Sequence, residues 1–308
     1  MKSKTLLYLG ITAIVLIAVW GLPRLFDKGG SEEAVDFSLS SINEENIDRI
    51  RIAQADKKTE LERTSGGWQV AEFEVDSEKI SIIWDKLSDA SITGPVARNQ
   101  ANHAKFKVAE TDGLKVIFQK GTEEVEAIII GKSGSSFGTT YIRQVGDDNV
   151  YIINADLSSS FPLEVSYWRN KDIVSVNRDQ VDRIDIVTPD YDLTLSKQTD
   201  NTWLAEDASR ATTTPERIMN SLFSNLAPLQ ANGFIEGDDL VAFNNEAKDT
   251  RVKVLSGSEE VLAELELVKQ DDNWWVRLES SETVYEVPQY RISSIILNGE
   301  ELFEPGND

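Results

Sequence analysis

The chain has 308 residues, enough for two ordinary cores, and at 40% hydrophobic with 7 Trp and 11 Phe its composition is globular rather than disordered. A formal net charge of −22 repels phosphate backbones and anionic lipid headgroups, which argues against nucleic-acid binding and against a chain lying flat on a membrane. The absence of Cys excludes disulfides, thiolate metal sites, Cys nucleophiles and a lipidated N-terminal Cys.

The first predicted element is apolar. Thr5 to Leu22 gives 18 residues broken only by Thr12, Gly10 and Gly21, and Pro23 ends it. As a helix it is about 27 Å long, near the lower limit for crossing a bilayer core. Lys2 and Lys4 precede it and favour a cytoplasmic N-terminus. The segment reads as an uncleaved anchor. A signal peptide cut near Val19-Trp20-Gly21 is the alternative. Residues 1–30 form this anchor and the start of a polar tether around Gly29-Gly30-Ser31. Without residues 1–30 the chain keeps 27 basic and 52 acidic residues, a formal charge of −25.

The remainder says nearly the same thing twice. Asn46-Ile47-Asp48-Arg49-Ile50-Arg51-Ile52 returns as Gln180-Val181-Asp182-Arg183-Ile184-Asp185-Ile186. Gly121-Thr122-Glu123-Glu124-Val125 returns as Gly257-Ser258-Glu259-Glu260-Val261, Tyr141-Ile142-Arg143 as Trp275-Val276-Arg277, and Val150-Tyr151 as Val284-Tyr285. The offsets are 134, 136, 134 and 134 residues, which predicts two tandem copies of one module over residues 37–177 and 178–308.

Each copy is predicted to open with a β-meander. Ile50, Ile52 and Leu61 match Ile184, Ile186, Leu193 and Leu195, and a polar turn leads to Trp68 in one copy and Trp203 in the other. One amphipathic helix follows. In the first copy Asp76 is the cap and Ile80, Ile83, Trp84 and Leu87 form the face. In the second, Thr214 is the expected cap, Pro215 the first helical residue, and Ile218, Leu222 and Leu226 the face, with Pro228 as the stop. After a less regular stretch, Val125, Ala127 and Ile129 alternate, as do Val261, Ala263, Leu265 and Leu267. Ile128 and Ile130 make the other face of the first strand apolar too, which predicts burial on both sides, against the second copy. Two hairpins close the copies, the first turning at Gly146-Asp147-Asp148-Asn149. The expected fold class is α+β: two tandem antiparallel-sheet-plus-helix modules after one N-terminal transmembrane helix.

The Gly66-Gly67-Trp68 turn, the capped helix, Ile130-Gly131-Lys132, Tyr141-Ile142-Arg143, Val150-Tyr151 and the run Tyr167-Trp168-Arg169-Asn170-Lys171, behind a short N-terminal apolar segment, resemble the bacterial domain-of-unknown-function family 4340. The family usually carries an acid where Asn170 stands. Its members are often encoded beside ABC-transporter components of the gliding-motility auxiliary type. The resemblance implies a membrane-linked accessory protein and transfers no catalytic or binding residue.

The residues themselves offer little chemistry. Gly131-Lys132-Ser133 looks like the end of a phosphate loop, but the required earlier glycine is Glu126, so a turn is the better reading. His103 is the only histidine, with no nucleophile elbow to serve, and is expected in a surface loop. The acidic pairs Glu44-Glu45, Asp147-Asp148, Asp238-Asp239 and Asp271-Asp272 read as solvated turns, with Asp238-Asp239 the least unlikely cation loop. Trp68 and Trp203 are expected in the two cores. No catalytic, cofactor-binding or metal residue is assigned, and no cofactor is expected. The expected role is that of a non-enzymatic, single-pass protein of the inner (cytoplasmic) membrane with its bulk periplasmic. Its partners would be the membrane and an envelope protein such as an ABC transporter. A periplasmic module binding a peptide or glycan, and a carboxylate-based hydrolase, are the alternatives.

Overall fold

The computed structural model describes residues 37–303 apart from Ser40 and Asp249. The Thr5–Leu22 anchor and the Gly29–Ser31 tether lie outside these residues. Among the described residues no helix is long and apolar enough to cross a membrane. The chain divides into two compact units between Trp168 and Arg169.

The first unit runs β1 (Arg49–Gln54), β2 (Lys57–Thr64), β3 (Gly67–Val70), β4 (Phe73–Glu74), α1 (Ser77–Ser88), β5 (Ile92–Ala97), α2 (His103–Phe106), β6 (Leu114–Lys120), β7 (Glu123–Ser133), β8 (Thr140–Gln144), β9 (Val150–Ile153) and α3 (Val165–Trp168). The second runs β10 (Asp172–Val174), β11 (Arg183–Val187), β12 (Asp192–Lys197), β13 (Trp203–Glu206), β14 (Ala211–Thr214), α4 (Glu216–Leu226), β15 (Leu229–Gln230), β16 (Gly233–Ile235), α5 (Gly237–Asn245), β17 (Thr250–Leu255), β18 (Val261–Lys269), β19 (Asn273–Leu278), β20 (Val284–Pro288), α6 (Gln289–Ile292) and α7 (Gly299–Phe303).

Each unit is organised on one nine-stranded antiparallel sheet. The orders are β4-β3-β2-β1-β6-β7-β8-β9-β5 and β14-β13-β12-β11-β17-β18-β19-β20-β16, the same order strand for strand, while β10 and β15 pair only with each other. Ile50 faces Leu61 and Phe118 across its two neighbours, and Ile184 faces Leu195 and Val254. The repeated sequence motifs meet in space. The Asp48 carboxylate accepts from Gly121 N at 2.9 Å. In the second unit the Asp182 carboxylate oxygen lies 2.8 Å from where a Cβ on Gly257 would stand, so glycine is what lets the acid approach.

The α+β expectation for the two modules is therefore corrected, while the expected transmembrane helix lies outside the described residues. The described chain is mostly β, with two large antiparallel sheets and only short helices. The stretches that looked irregular hold β5, β6, β16 and β17. They were obscure because β5 carries Gly94-Pro95 in a bulge between Thr93 and Ala97, and β16 has only three residues.

The main helices bury one face each. In α1, Ile80, Ile83, Trp84 and Leu87 enter the first core, and the Asp76 carboxylate caps it by accepting from Glu78 N at 3.0 Å. In α4 the buried residues are Met219, Leu222, Phe223 and Leu226. Its cap position is Pro215, with no side-chain cap, rather than Thr214. Thr214 ends β14 opposite Trp203, where strand pairing fixes its backbone, and its buried hydroxyl makes no hydrogen bond to the helix.

A second correction concerns β7. A bulge between Phe118 and Gln119 shifts the register by one residue, and one residue exchanges the two faces of a strand. Ile128 and Ile130 thus enter the main core, while Ile129 faces the other side. The unit's own α2 segment covers it, through Phe106 and Val108 with Val150. In the second unit the matching cluster is Phe243 of α5 with Ile235, Val268 and Val284.

Candidate functional site

Most of the residues singled out by sequence prove to stabilise the unit in which they lie. Gly131 lies within β7, not in a phosphate loop. A Cβ there would stand 2.3 Å from Phe106 O and 2.7 Å from Val108 Cγ1, so glycine admits the α2 segment across the sheet. Gly131→Ala is expected to cost about 1–3 kcal/mol by overpacking, measured by chemical denaturation. A loss within ±0.5 kcal/mol, ordinary for a surface site, would contradict this close approach.

His103 is buried at the start of α2, not in a surface loop, and its Nε2 lies 3.0 Å from the Asp148 carbonyl. Arg143, also buried, fixes the same region. Its Nε donates to Val108 O at 2.9 Å, one Nη to Asp147 O at 2.9 Å, and the other to Glu110 at 3.0 Å. Its counterpart Arg277 bonds Glu266 at 2.6 Å and Asn244 at 3.1 Å. In both units an arginine ties the outer sheet face or the chain beside it to the short helical segment packed there.

The Tyr167-Trp168-Arg169-Asn170-Lys171 run is structural as well. Trp168 is fully buried, and its Nε1 donates to Pro162 O at 2.9 Å. Arg169 stacks 3.5 Å over the Phe234 ring and pairs with Glu236. Asn170, where an acid was expected, accepts from Asp172 N at 3.0 Å, and Lys171 donates to Asn232 O at 2.9 Å.

The acidic pairs do not converge. Glu44 pairs with Arg63 at 2.7 Å. Asp147 accepts from Asn149 N at 3.1 Å. Asp238 and Asp239 open α5 rather than a loop, where carboxylates complement the helix dipole. Asp271 and Asp272 fill the tight β18–β19 connection. Among the described residues no group of three or more His, Asp or Glu could hold a metal ion.

Two cavities lie in the second unit. One, of about 520 Å³, is bounded by Tyr191, Asp207, Arg210 and Phe303. The Tyr191 hydroxyl donates to Leu297 O, and burial pushes its pKa up. The Ser209 backbone N–H, then the Arg210 guanidinium and N–H, hold Asp207 at about 2 against an opposing desolvation. That movement is opposite to what a general acid needs. Because the folded value is depressed, the contribution of this carboxylate is present above the unfolded value of 3.8 and is lost as pH falls through about 2. A carboxyl NMR titration of Asp207 is expected to find its midpoint near 2, and a midpoint at 3.8 or above would contradict the hydrogen-bonded loop. The other cavity, of about 510 Å³, opens beside α4, α6 and α7.

The feature that sequence reading missed is Phe137, whose exposure of 107% is that of a free side chain. It sits at the tip of the β7–β8 hairpin. The tip is built rather than loose: Gly134 N donates to Thr139 O at 2.8 Å, and Thr139 Oγ1 donates to Ser136 O at 2.7 Å. Gly138 supplies a positive φ of 74° directly after the phenylalanine. In register, Ile130 pairs with Ile142 twelve residues on, whereas Leu267 pairs with Val276 nine residues on. The first unit thus carries three extra residues where the second has a short turn with two acids. From Ala127 to Gly146 the chain contains no Asp or Glu, although it has 53 in all. The acid-free run was the signal available in the sequence.

No curated protein and no solved structure matches the chain. The family model described as Domain of unknown function (DUF4340) matches residues 68–248, which is 181 of 308 residues and reaches from Trp68 in β3 to beyond α5. With more than half of its length matched, the chain belongs to this family.

Proposed function

We propose that this protein is a non-enzymatic, membrane-attached, extracytoplasmic interaction protein, and that the β7–β8 hairpin is where it grips its partner. The observation that carries the reading is Phe137, wholly exposed on a hydrogen-bonded tip. Leaving a phenylalanine in water forgoes about 2 kcal/mol that burial would return. Interface cores are rich in aromatics and poor in acids, and the acid-free Ala127–Gly146 run has that composition. The apolar Thr5–Leu22 segment, with Lys2 and Lys4 before it, supplies the attachment and sets the bulk of the chain outside the cytoplasm. The gene neighbourhood implied by the family resemblance makes an ABC-type transporter the first partner to test.

Phe137→Ala is the test. The side chain touches nothing it would leave exposed, so the denaturation midpoint is expected to stay within the ±0.5 kcal/mol of ordinary surface changes. Recovery of an envelope partner from solubilised membranes is expected to fall about 30-fold, the equivalent of about 2 kcal/mol. Equal recovery with the variant would overturn the assignment of the tip.

A further inference from the structure

The two units cover equivalent sheet faces with segments of opposite charge. In the first unit the cover is the chain around α2, and from Ala90 to Ala109 it holds Arg98, Lys105 and Lys107 but no Asp or Glu. In the second unit the cover is α5, and Glu236 to Glu246 holds four acids and no Lys or Arg. The neighbouring hairpins diverge in the same sense. The β7–β8 hairpin carries Lys132 and no acid, whereas Asp271 and Asp272 make the turn from β18 to β19. The fold brings the two acid-free runs together. At the start of α2, His103 meets the Asp148 carbonyl, at the end of β8 remote from the tip. At its other end, Phe106 O lies 2.3 Å from where a Cβ on Gly131 would stand, and the Phe106 ring packs 4.6 Å from that of Tyr141. The α2 segment therefore runs towards the tip and places Lys105 and Lys107 at the base of the hairpin, where Lys132 follows Gly131. All three lysines are exposed, and among the described residues none forms an ion pair. Glu110, the first acid after the run, is taken up by Arg143 at 3.0 Å and Lys115 at 3.7 Å, and the exposed Asp112 is outnumbered by the lysines.

Cations at the base of a hairpin that ends in an exposed phenylalanine fit a partner protein with an apolar pocket and carboxylates on its rim. We propose that the surface receiving the Phe137 tip is acidic, and that Lys105, Lys107 and Lys132 set its approach. This inference rests on the docking reading above and adds the chemistry of the partner. A chain of net charge −22 repels an acidic protein over most of its surface. Such a partner meets it favourably only where the sign is reversed, so the lysines orient the encounter and the phenylalanine supplies the buried anchor. The acidic α5 cover and the Asp271-Asp272 turn exclude the equivalent face of the second unit from the same role.

The experiment uses the full chain in isolated native membranes, with a photo-crosslinking residue at position 137 as the probe. The double variant K105E/K107E is expected to lose the protein adduct by at least roughly tenfold, and raising the salt from about 50 to 500 mM is expected to weaken it in the unsubstituted chain. K132E, which alters no residue of α2, is expected to act in the same direction. The control R217E/K269E changes the net charge by as much as K105E/K107E at two exposed positions of the second unit, and is expected to keep the adduct. The partner peptide in the adduct is expected to lie on a surface rich in Asp and Glu. A discrete protein adduct that survives K105E/K107E and K132E, falls equally with the control, or maps to a basic surface would overturn the acidic partner while leaving the docking tip in place. Adducts to lipid or to a second copy of the chain would overturn it by naming another occupant. No adduct at all from position 137 would overturn the docking reading itself, and this inference with it.

Discussion

Trp203→Ala is expected to destabilise the second unit by about 3–5 kcal/mol, and Trp68→Ala the first by about the same, through lost transfer energy and the cavities left behind. Both indoles are buried in their cores. Trp203 packs edge-on against Phe223 of α4, with ring centroids 5.6 Å apart, and Trp68 packs against Trp84 of α1 at 6.0 Å. Each therefore clamps a main helix to its sheet. The two sites differ in one respect. The Trp68 and Trp84 indole nitrogens are buried without a hydrogen-bond acceptor among the described residues. An unmet buried donor costs about 1–3 kcal/mol, so Trp68→Phe is expected to cost far less than Trp68→Ala. Urea denaturation of these variants is the check. A loss under about 1 kcal/mol for either alanine variant would contradict the packing.

Arg143→Met is the second large effect. The side chain is 5% exposed and serves the backbone carbonyls of Val108, Asp147 and, more weakly, Gln144, as well as Glu110. Methionine fills much of the space but leaves Val108 O and Asp147 O without their donor, at an expected cost of about 2–3 kcal/mol. Arg277, 26% exposed and paired with Glu266, keeps more of its contact with water. Arg277→Met is therefore expected to cost about 1 kcal/mol or less, in the range of exposed ion pairs. Equal losses at the two positions, again by urea denaturation, would contradict the difference in burial.

The parts of the fold that were legible in the sequence are those in which a local pattern has one physical solution. Asp76 followed by apolar residues at helical spacing could only be a capped helix, and the α1 face followed residue for residue. The matched Ile50 and Ile184 segments occupy equivalent strands, because alternation and turn signals survive in both. Reading failed where a distant contact decides. Whether Ile128 or Ile129 faces the core depends on a bulge opposite Phe118, which no periodicity within β7 reveals. Thr214 looked like a helix cap because its pairing with Trp203 lies outside the local window. Of the candidate sites, His103 and Gly131 were expected to carry no chemistry, but not that His103 would open the buried α2 or that Gly131 would admit the end of α2 against the sheet. Phe137 would ordinarily pass as a core residue, since an aromatic in a chain gives no sign of its exposure. The cavity beside α4, α6 and α7 was illegible, because its lining residues lie on elements that only the fold brings together.

The central claim is that the hairpin tip touches a partner in the envelope. A photo-crosslinking amino acid placed at position 137 of the full chain, activated in intact cells, tests it most directly. The same residue at position 258, on the β17–β18 turn of the second unit, serves as control. The account predicts a discrete adduct from position 137 to an integral envelope protein, an ABC-type component first among them, and no such adduct from position 258. Adducts of equal yield from both positions, or none from position 137, would contradict it.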